Sequence, residues 1–157
     1  MVSAIVCSLI FLAVVGLDQV SKALTDGAET IIIVKDFLYV SGTYNTGAAF
    51  SILGEVEWAQ TFFIILTVIA VIGATVYLFL NGKKSLWLDI SIVLVLSGAI
   101  GNFIDRLVFG YVRDFIYVPF FANFNVADVA ITVGAIMLIV YFLFLDKEAI
   151  LNFKKKK

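Results

Sequence analysis

Four apolar stretches, each long enough to cross a bilayer, constrain this chain more than any other feature of it. They run over roughly 2–21, 58–80, 86–105 and 126–145, and about 20 helical residues at 1.5 Å each span a hydrocarbon core of roughly 30 Å. Composition points the same way, since 62% hydrophobic against 15% charged residues over 157 positions lies far outside a soluble domain. The expected fold class is an all-α membrane protein of four transmembrane helices, a single integral membrane domain over residues 1–157. The first stretch lacks a basic leader and a small-residue cleavage pattern, and three more spans follow, so it is expected to be a retained helix.

Charge placement predicts the orientation, because Lys and Arg gather on the cytoplasmic side of short loops. Lys83 and Lys84 lie between the second and third stretches, and Lys147 and Lys154 to Lys157 follow the fourth. Both segments belong inside, which places both termini in the cytoplasm and the two longer loops, about 22–57 and 106–125, outside. Those loops hold Asp26, Glu29, Asp36, Glu55 and Glu57. A net charge of −1 therefore conceals a basic inner and an acidic outer face, and nothing here supports nucleic-acid binding. In the first outer loop, TIIIV (30–34) and DFLYVSG (36–42) are rich in β-branched and aromatic residues and read as short strands, and AAFSIL (48–53) can add a third. A small extracytoplasmic β-sheet in that loop, resting on the membrane surface, is the expectation. The second outer loop mixes charge with Phe and Tyr, residues that anchor in the headgroup layer.

On this topology the polar residues converge on one depth, the outer interface. Asp18, Gln19 and Lys22 close the first helix, Asn45 sits in YNTGAAF, and Asn102, Asp105 and Arg106 end the third. Asp114 follows, and Asn125 and Asp128 open the fourth. Plainer readings exist for several of them. Asp18 and Lys22, spaced i,i+4, suit a helix-end ion pair worth roughly a few tenths of a kcal/mol, and Asp105 beside Arg106 suits a local pair or a cap. Asn125 suits an N-cap with Asp128 at its N3 position. None of these accounts for Arg113 and Asp114 in an otherwise apolar loop, and ionisable groups at a bilayer boundary mark function by default.

The chain has no His, which removes imidazole bases, His-ligated metals and the Ser–His type of triad. The one cysteine, Cys7, lies toward the opposite end of its helix, and adjacent Ser21 and Lys22 would diverge on theirs. Carboxylates remain. Two acids held close together cannot both ionise, so they share a proton, and one can activate a water while the other protonates an amide carbonyl. Such chemistry needs no cofactor and no metal.

Five blocks, DQVSK (18–22), YNTGAAF (44–50), GNFIDR (101–106), VRDF (112–115) and FNVADV (124–129), stand in an order that resembles the lipoprotein signal peptidases, the type II signal peptidases of bacteria. The resemblance implies an aspartic endopeptidase of the bacterial cytoplasmic membrane, working at the outer face. Its partners would be membrane lipids and diacylglyceryl-modified prolipoproteins, cut before the lipidated cysteine. Carried over residue by residue, it implies a catalytic dyad of Asp114 and Asp128. Asn45, Asn102, Arg106 and Asn125 would line the substrate site, with Asp18, Lys22, Gly47 and Asp105 supporting. Two other classes stay open: a phosphoryl-transfer enzyme holding Mg²⁺ on Asp105, Asp114 and Asp128, although such enzymes cluster their acids more tightly, and a small proton-coupled carrier, which would want ionisable groups near mid-membrane.

Overall fold

A computed structural model of the chain describes residues 2–47, 58–80 and 85–145. Four helices dominate: α1 (Val2–Thr25), α2 (Ala59–Leu80), α3 (Leu86–Phe109) and α4 (Val126–Val140), the last continued by a π-helical turn over Tyr141–Leu145. Each of the four, taken with that turn, is long and apolar enough to cross a membrane. Large side chains such as Leu9, Leu12, Ile69, Ile72 and Ile139 stand exposed along them, as lipid-facing residues do where the surrounding solvent is itself apolar.

The third helix is the axis of the bundle, with α1, α2 and α4 all packed on it. Its buried face starts at Leu88, Ser91, Ile92 and Val93 and continues through Ser97, Gly98, Gly101, Asn102 and Asp105, turning small and then polar toward the helix end. A Cβ at Gly98 would strike the Ala127 carbonyl oxygen, and one at Gly134 would lie 2.7 Å from the Ser91 carbonyl oxygen. Small residues let two backbones touch where no hydrophobic effect drives helices together. The close approach brings the start of α4 against the end of α3, which is where the polar residues are. Ser85 caps α3 at its start, and at its end Gly110 adopts φ 78°, the left-handed turn that a side chain would oppose. That turn sends the chain straight into a strand.

The strands β1 (Ile31–Val34), β2 (Leu38–Asn45), β3 (Val112–Tyr117) and β4 (Asn123–Phe124) form one antiparallel sheet in the order β1-β2-β3-β4. The sheet is therefore not confined to the first long loop, as the sequence suggested, because VRDFIY and a short return strand from the second loop supply half of it. The VRDFIY segment carries the β-branched and aromatic residues of a strand, and pairing with β2 satisfies backbone groups that headgroup anchoring would leave open. The stretch AAFSIL lies outside the described residues. A register irregularity between Val40 and Thr43 resets the β2–β3 ladder so that Thr43 faces Asp114 and Asn45 faces Val112. Chain segments about 70 positions apart are brought together by this one ladder, and the site depends on it.

Candidate active site

At the sheet end of the bundle, α1 and α3 finish, α4 begins, and β2 and β3 cross. Asp114 projects from β3, with 1% of its surface exposed. Its Oδ2 accepts a hydrogen bond from Asn45 Nδ2 at 3.0 Å, its Oδ1 accepts one from Asn125 Nδ2 at 2.7 Å, and its carbonyl accepts one from Thr43 Oγ1 at 2.9 Å. Asp128, on the first turn of α4, accepts at Oδ1 from Asn102 Nδ2 at 2.8 Å and at Oδ2 from the Asn125 backbone N–H at 3.2 Å. Both aspartates line one cavity of about 460 Å³, together with Asn45, Asn102 and Arg106, and its remaining wall is largely apolar.

Asn125 ties the two acids together. It is the N-cap of α4, its Oδ1 accepting from the Asp128 N–H at 2.9 Å while the Asp128 carboxylate accepts from the Asn125 N–H, a complete capping box. Since its oxygen is committed to the helix, its Nδ2 is left for Asp114. The same logic fixes the other two amides. Asn45 Oδ1 accepts from the Gly47 N–H at 2.9 Å, and Asn102 Oδ1 accepts from Lys22 Nζ at 2.9 Å. A flipped amide at any of the three would set a donor against a donor. Three carboxamides thus point N–H groups at two carboxylates.

Burial and the neighbouring charge of Asp128 push the Asp114 carboxyl up to about 6 from an ordinary 3.8. The Asn45 and Asn125 hydrogen bonds, and the charge of Lys22, oppose the rise. A carboxyl so placed holds a proton under conditions in which an exposed aspartate would have lost it.

Behind the two acids lies a buried charge cluster. Lys22 Nζ is 2.7 Å from Asp18 Oδ2 and 3.4 Å from Asp105 Oδ2, all three side chains fully buried. The Asp18–Lys22 pair is thus no exposed helix-end pair of a few tenths of a kcal/mol. The polar ends of α1 and α3 are walled in by α4 and β3, and Asp18 Oδ1 also accepts from the Ala127 N–H of α4 at 2.8 Å. Nor does Asp105 partner Arg106. It grips Arg113 instead, accepting from its backbone N–H at 2.9 Å and from Nη2 at 2.8 Å. Consecutive helical residues point in different directions, so Arg106 turns to the cavity, where Nη2 donates to the Gly47 carbonyl at 3.1 Å and the guanidinium lies 4.9 Å from the Phe63 ring centre. Its Nε is buried without a hydrogen-bond partner among the described residues.

All ten site residues singled out in the sequence meet at this end of the bundle, in two shells. Asn45, Asn102, Arg106, Asp114 and Asp128 face the cavity, while Asn125, Asp18, Lys22, Gly47 and Asp105 hold them. Sequence reasoning assigned no role to Gln19 or Arg113. Gln19 Nε2 donates to the Gly101 carbonyl at 3.0 Å, and its Oε1 accepts from Arg113 Nη2 at 3.3 Å. The signal for Arg113 was present, a cation beside Asp114 in an apolar loop. Among the described residues no group of three or more His, Cys, Asp or Glu side chains is placed to hold a metal ion, and Asp105 is saturated by Arg113, Lys22 and Gln19 outside the cavity.

Comparison with known proteins places this architecture. The profile of the signal peptidase (SPase) II family matches residues 10–144. The lipoprotein signal peptidase of Enterococcus faecalis is 43% identical over 151 residues, covering 92% of this chain and 91% of that protein. That of Pseudomonas syringae pv. tomato is 44% identical over 135 residues, 80% of this chain and 78% of its own length. A bacterial membrane enzyme solved by the in meso method at 2.3 Å superposes with a TM-score of 0.79 at 34% identity, over 88% of this chain and 87% of its own. Four spanning helices, a small antiparallel sheet and a match along most of the sequence make the chain a multi-pass membrane peptidase that belongs to the signal peptidase II family.

Proposed function

We propose that the cavity is the active site of an aspartic endopeptidase, with Asp114 and Asp128 as its catalytic pair, which removes the signal peptide from diacylglyceryl-modified prolipoproteins just before the lipidated cysteine. The observation that carries this reading is the pair itself: two carboxylates on one cavity, bridged by Asn125, one of them pushed up to about 6. Asp114 carries the shared proton. Asp128 takes a proton from a water as its oxygen attacks the scissile carbonyl, and Asp114 gives its proton to the carbonyl oxygen. The resulting neutral tetrahedral diol then collapses. One of its hydroxyl protons returns to the pair, the amide nitrogen takes a proton, and the C–N bond breaks to leave a free acid and the amine of the lipidated cysteine. No covalent intermediate forms.

The surrounding residues act by position. The three carboxamides hold the acids at fixed angles, so little reorganisation accompanies proton transfer. The Arg106 guanidinium pins the Asn45–Gly47 turn through the Gly47 carbonyl and keeps Nε–H in reserve for a backbone carbonyl of the substrate. The chain forms one integral membrane domain, with the basic segments around Lys83, Lys84 and the terminal lysines in the cytoplasm. The sheet and cavity then lie at the outer interface, where a diacylglyceryl group stays in the bilayer and its binding energy sets the depth of the scissile bond.

The test compares a diacylglyceryl-modified prolipoprotein with its unlipidated counterpart, using purified protein in lipid nanodiscs. Cleavage before the modified cysteine is expected for the first and very little for the second. Asp114→Asn and Asp128→Asn should each abolish it, because an amide cannot pass on the proton. Retained turnover in either variant, or inhibition by EDTA that added Mg²⁺ reverses, would remove the aspartic mechanism and restore the metal-dependent alternative.

A further inference from the structure

Lys22 is the one ammonium in this site, yet it does not line the cavity. Its Nζ is fully buried between Asp18 Oδ2 and Asp105 Oδ2, and its remaining contact is Asn102 Oδ1 at 2.9 Å. The three acceptors match the three donors of a buried ammonium, and the third of them is the side chain that reaches the dyad. Asn102 lies between the ammonium and the dyad, its Oδ1 toward Lys22 and its Nδ2 donating to Asp128 Oδ1 at 2.8 Å. Asn125 Nδ2 also donates to Asn102 Oδ1, at 3.1 Å, as a neutral donor. The charged donor is the stronger of the two, and it withdraws electron density through the planar amide, making the far N–H a better donor in turn.

We propose that Lys22 is a positioning residue for the dyad: it sets and polarises the Asn102 amide so that the N–H side always faces Asp128. This rests on the reading of Asp114 and Asp128 as the catalytic pair. The charges around the amide are Asp18 and Lys22 from α1, Asp105 and Arg106 from α3, Arg113 and Asp114 from β3, and Asp128 itself from α4. The described part of α2 brings none. Among the described residues, Lys22 is the only cation that bonds the amide. Asp18 and Asp105 have a further function in this arrangement, compensating the charge of the buried ammonium.

Lys22→Met alone leaves two buried carboxylates against one Arg, so the informative variant is the charge-balanced Asp18→Asn/Lys22→Met, compared with Asp18→Asn. In the double variant kcat for the lipidated prolipoprotein should fall at least 10-fold relative to Asp18→Asn, with KM within about 2-fold. The acid limb of its kcat–pH profile should move about one unit to higher pH, since the Asn102 N–H is no longer polarised by Lys22 and the ammonium charge that favours the anionic pair is gone. A merely structural role would lower the amount of folded enzyme and leave that limb in place. A measurement on the unaltered protein stands beside it: with ¹⁵N-labelled asparagine side chains, the Asn102 Nδ2 protons should shift as the dyad titrates. An unmoved acid limb, or Asn102 signals indifferent to pH, would overturn the proposal. Activity surviving in Asp128→Asn would instead overturn the dyad on which it rests.

Discussion

Asn125 serves the helix and the dyad with opposite ends of one side chain, so the two functions can be separated. Asn125→Ser keeps an oxygen able to accept from the Asp128 N–H, and Ser caps a helix about as well as Asn. It removes the Nδ2 donor that reaches Asp114 Oδ1 at 2.7 Å. Asn125→Ala removes both. Loss of a cap costs about 1 kcal/mol, and loss of a hydrogen bond to a charged group roughly 1.5–3 kcal/mol. The Ala variant should therefore be less stable than the Ser variant by about 1 kcal/mol, the cap alone. If the bond to Asp114 is needed in the transition state, both should lose turnover to a similar degree, about 10- to 150-fold at 1.4 kcal/mol per decade. Initial rates of lipidated-prolipoprotein cleavage give one quantity, and urea or thermal unfolding in a fixed detergent gives the other. Should Ser restore turnover to near that of the wild-type chain, Asn125 would matter only as a cap, and its link to Asp114 would carry no catalytic weight.

Three further outcomes are expected. Arg106→Lys should lower kcat/KM about 10-fold or more, because an ammonium cannot both hold the Gly47 carbonyl and present a second donor in a fixed fork; undiminished cleavage would reduce Arg106 to a charge. A cysteine at Gly82, assayed with Cys7 replaced, should react with an impermeant maleimide only from the cytoplasmic side, and labelling from outside would invert the proposed orientation. Cleavage should decline on the alkaline side as the proton on Asp114 is lost, at pH 6 or above rather than near 4; a limb near 4 would place the proton on an ordinary carboxylate.

The depth of the site was legible because the apolar spans act as a ruler. Once their ends are known, Asp18, Asn102 and Asn125 fall at one level whatever the loops do. The capping role of Asn125 with Asp128 was equally local, three residues apart on one helix start. The Asp105–Arg113 clamp was not legible: the sequence suggested a local pair of Asp105 with Arg106, and naming Arg113 as the partner needs the turn at Gly110 that folds β3 back along α3. The β2–β3 ladder was not legible. Its pairing of Thr43 with Asp114 joins residues 71 positions apart, and no local pattern encodes a nonlocal register. Burial of Lys22 was hidden for the same reason, since it depends on where α4 and β3 pack.

Charge balance links the shells and bears on the protonation of the dyad. Among the buried groups Lys22 and Arg113 face Asp18 and Asp105, two cations against two anions, while Asp26, 3.9 Å from Arg113 Nη1, stands at the exposed edge where solvent screens its charge. The third cation, Arg106, lines the cavity with Asp114 and Asp128. In a low-dielectric site uncompensated charge is costly, so neutrality is reached when the dyad carries a single negative charge and hence one shared proton. The stability consequence has a definite sign. A carboxyl raised from 3.8 to about 6 on folding is most favourable to the folded state below pH 3.8, and that contribution is lost as pH rises through 6. The full difference is roughly 3 kcal/mol at about 1.4 kcal/mol per pH unit. Asp114→Asn cannot ionise, so between pH 4 and pH 8 the wild-type chain should lose up to about 3 kcal/mol relative to this variant. Parallel unfolding curves of the two proteins across that range would show that Asp114 carries no raised proton and that the dyad is not balanced by Arg106.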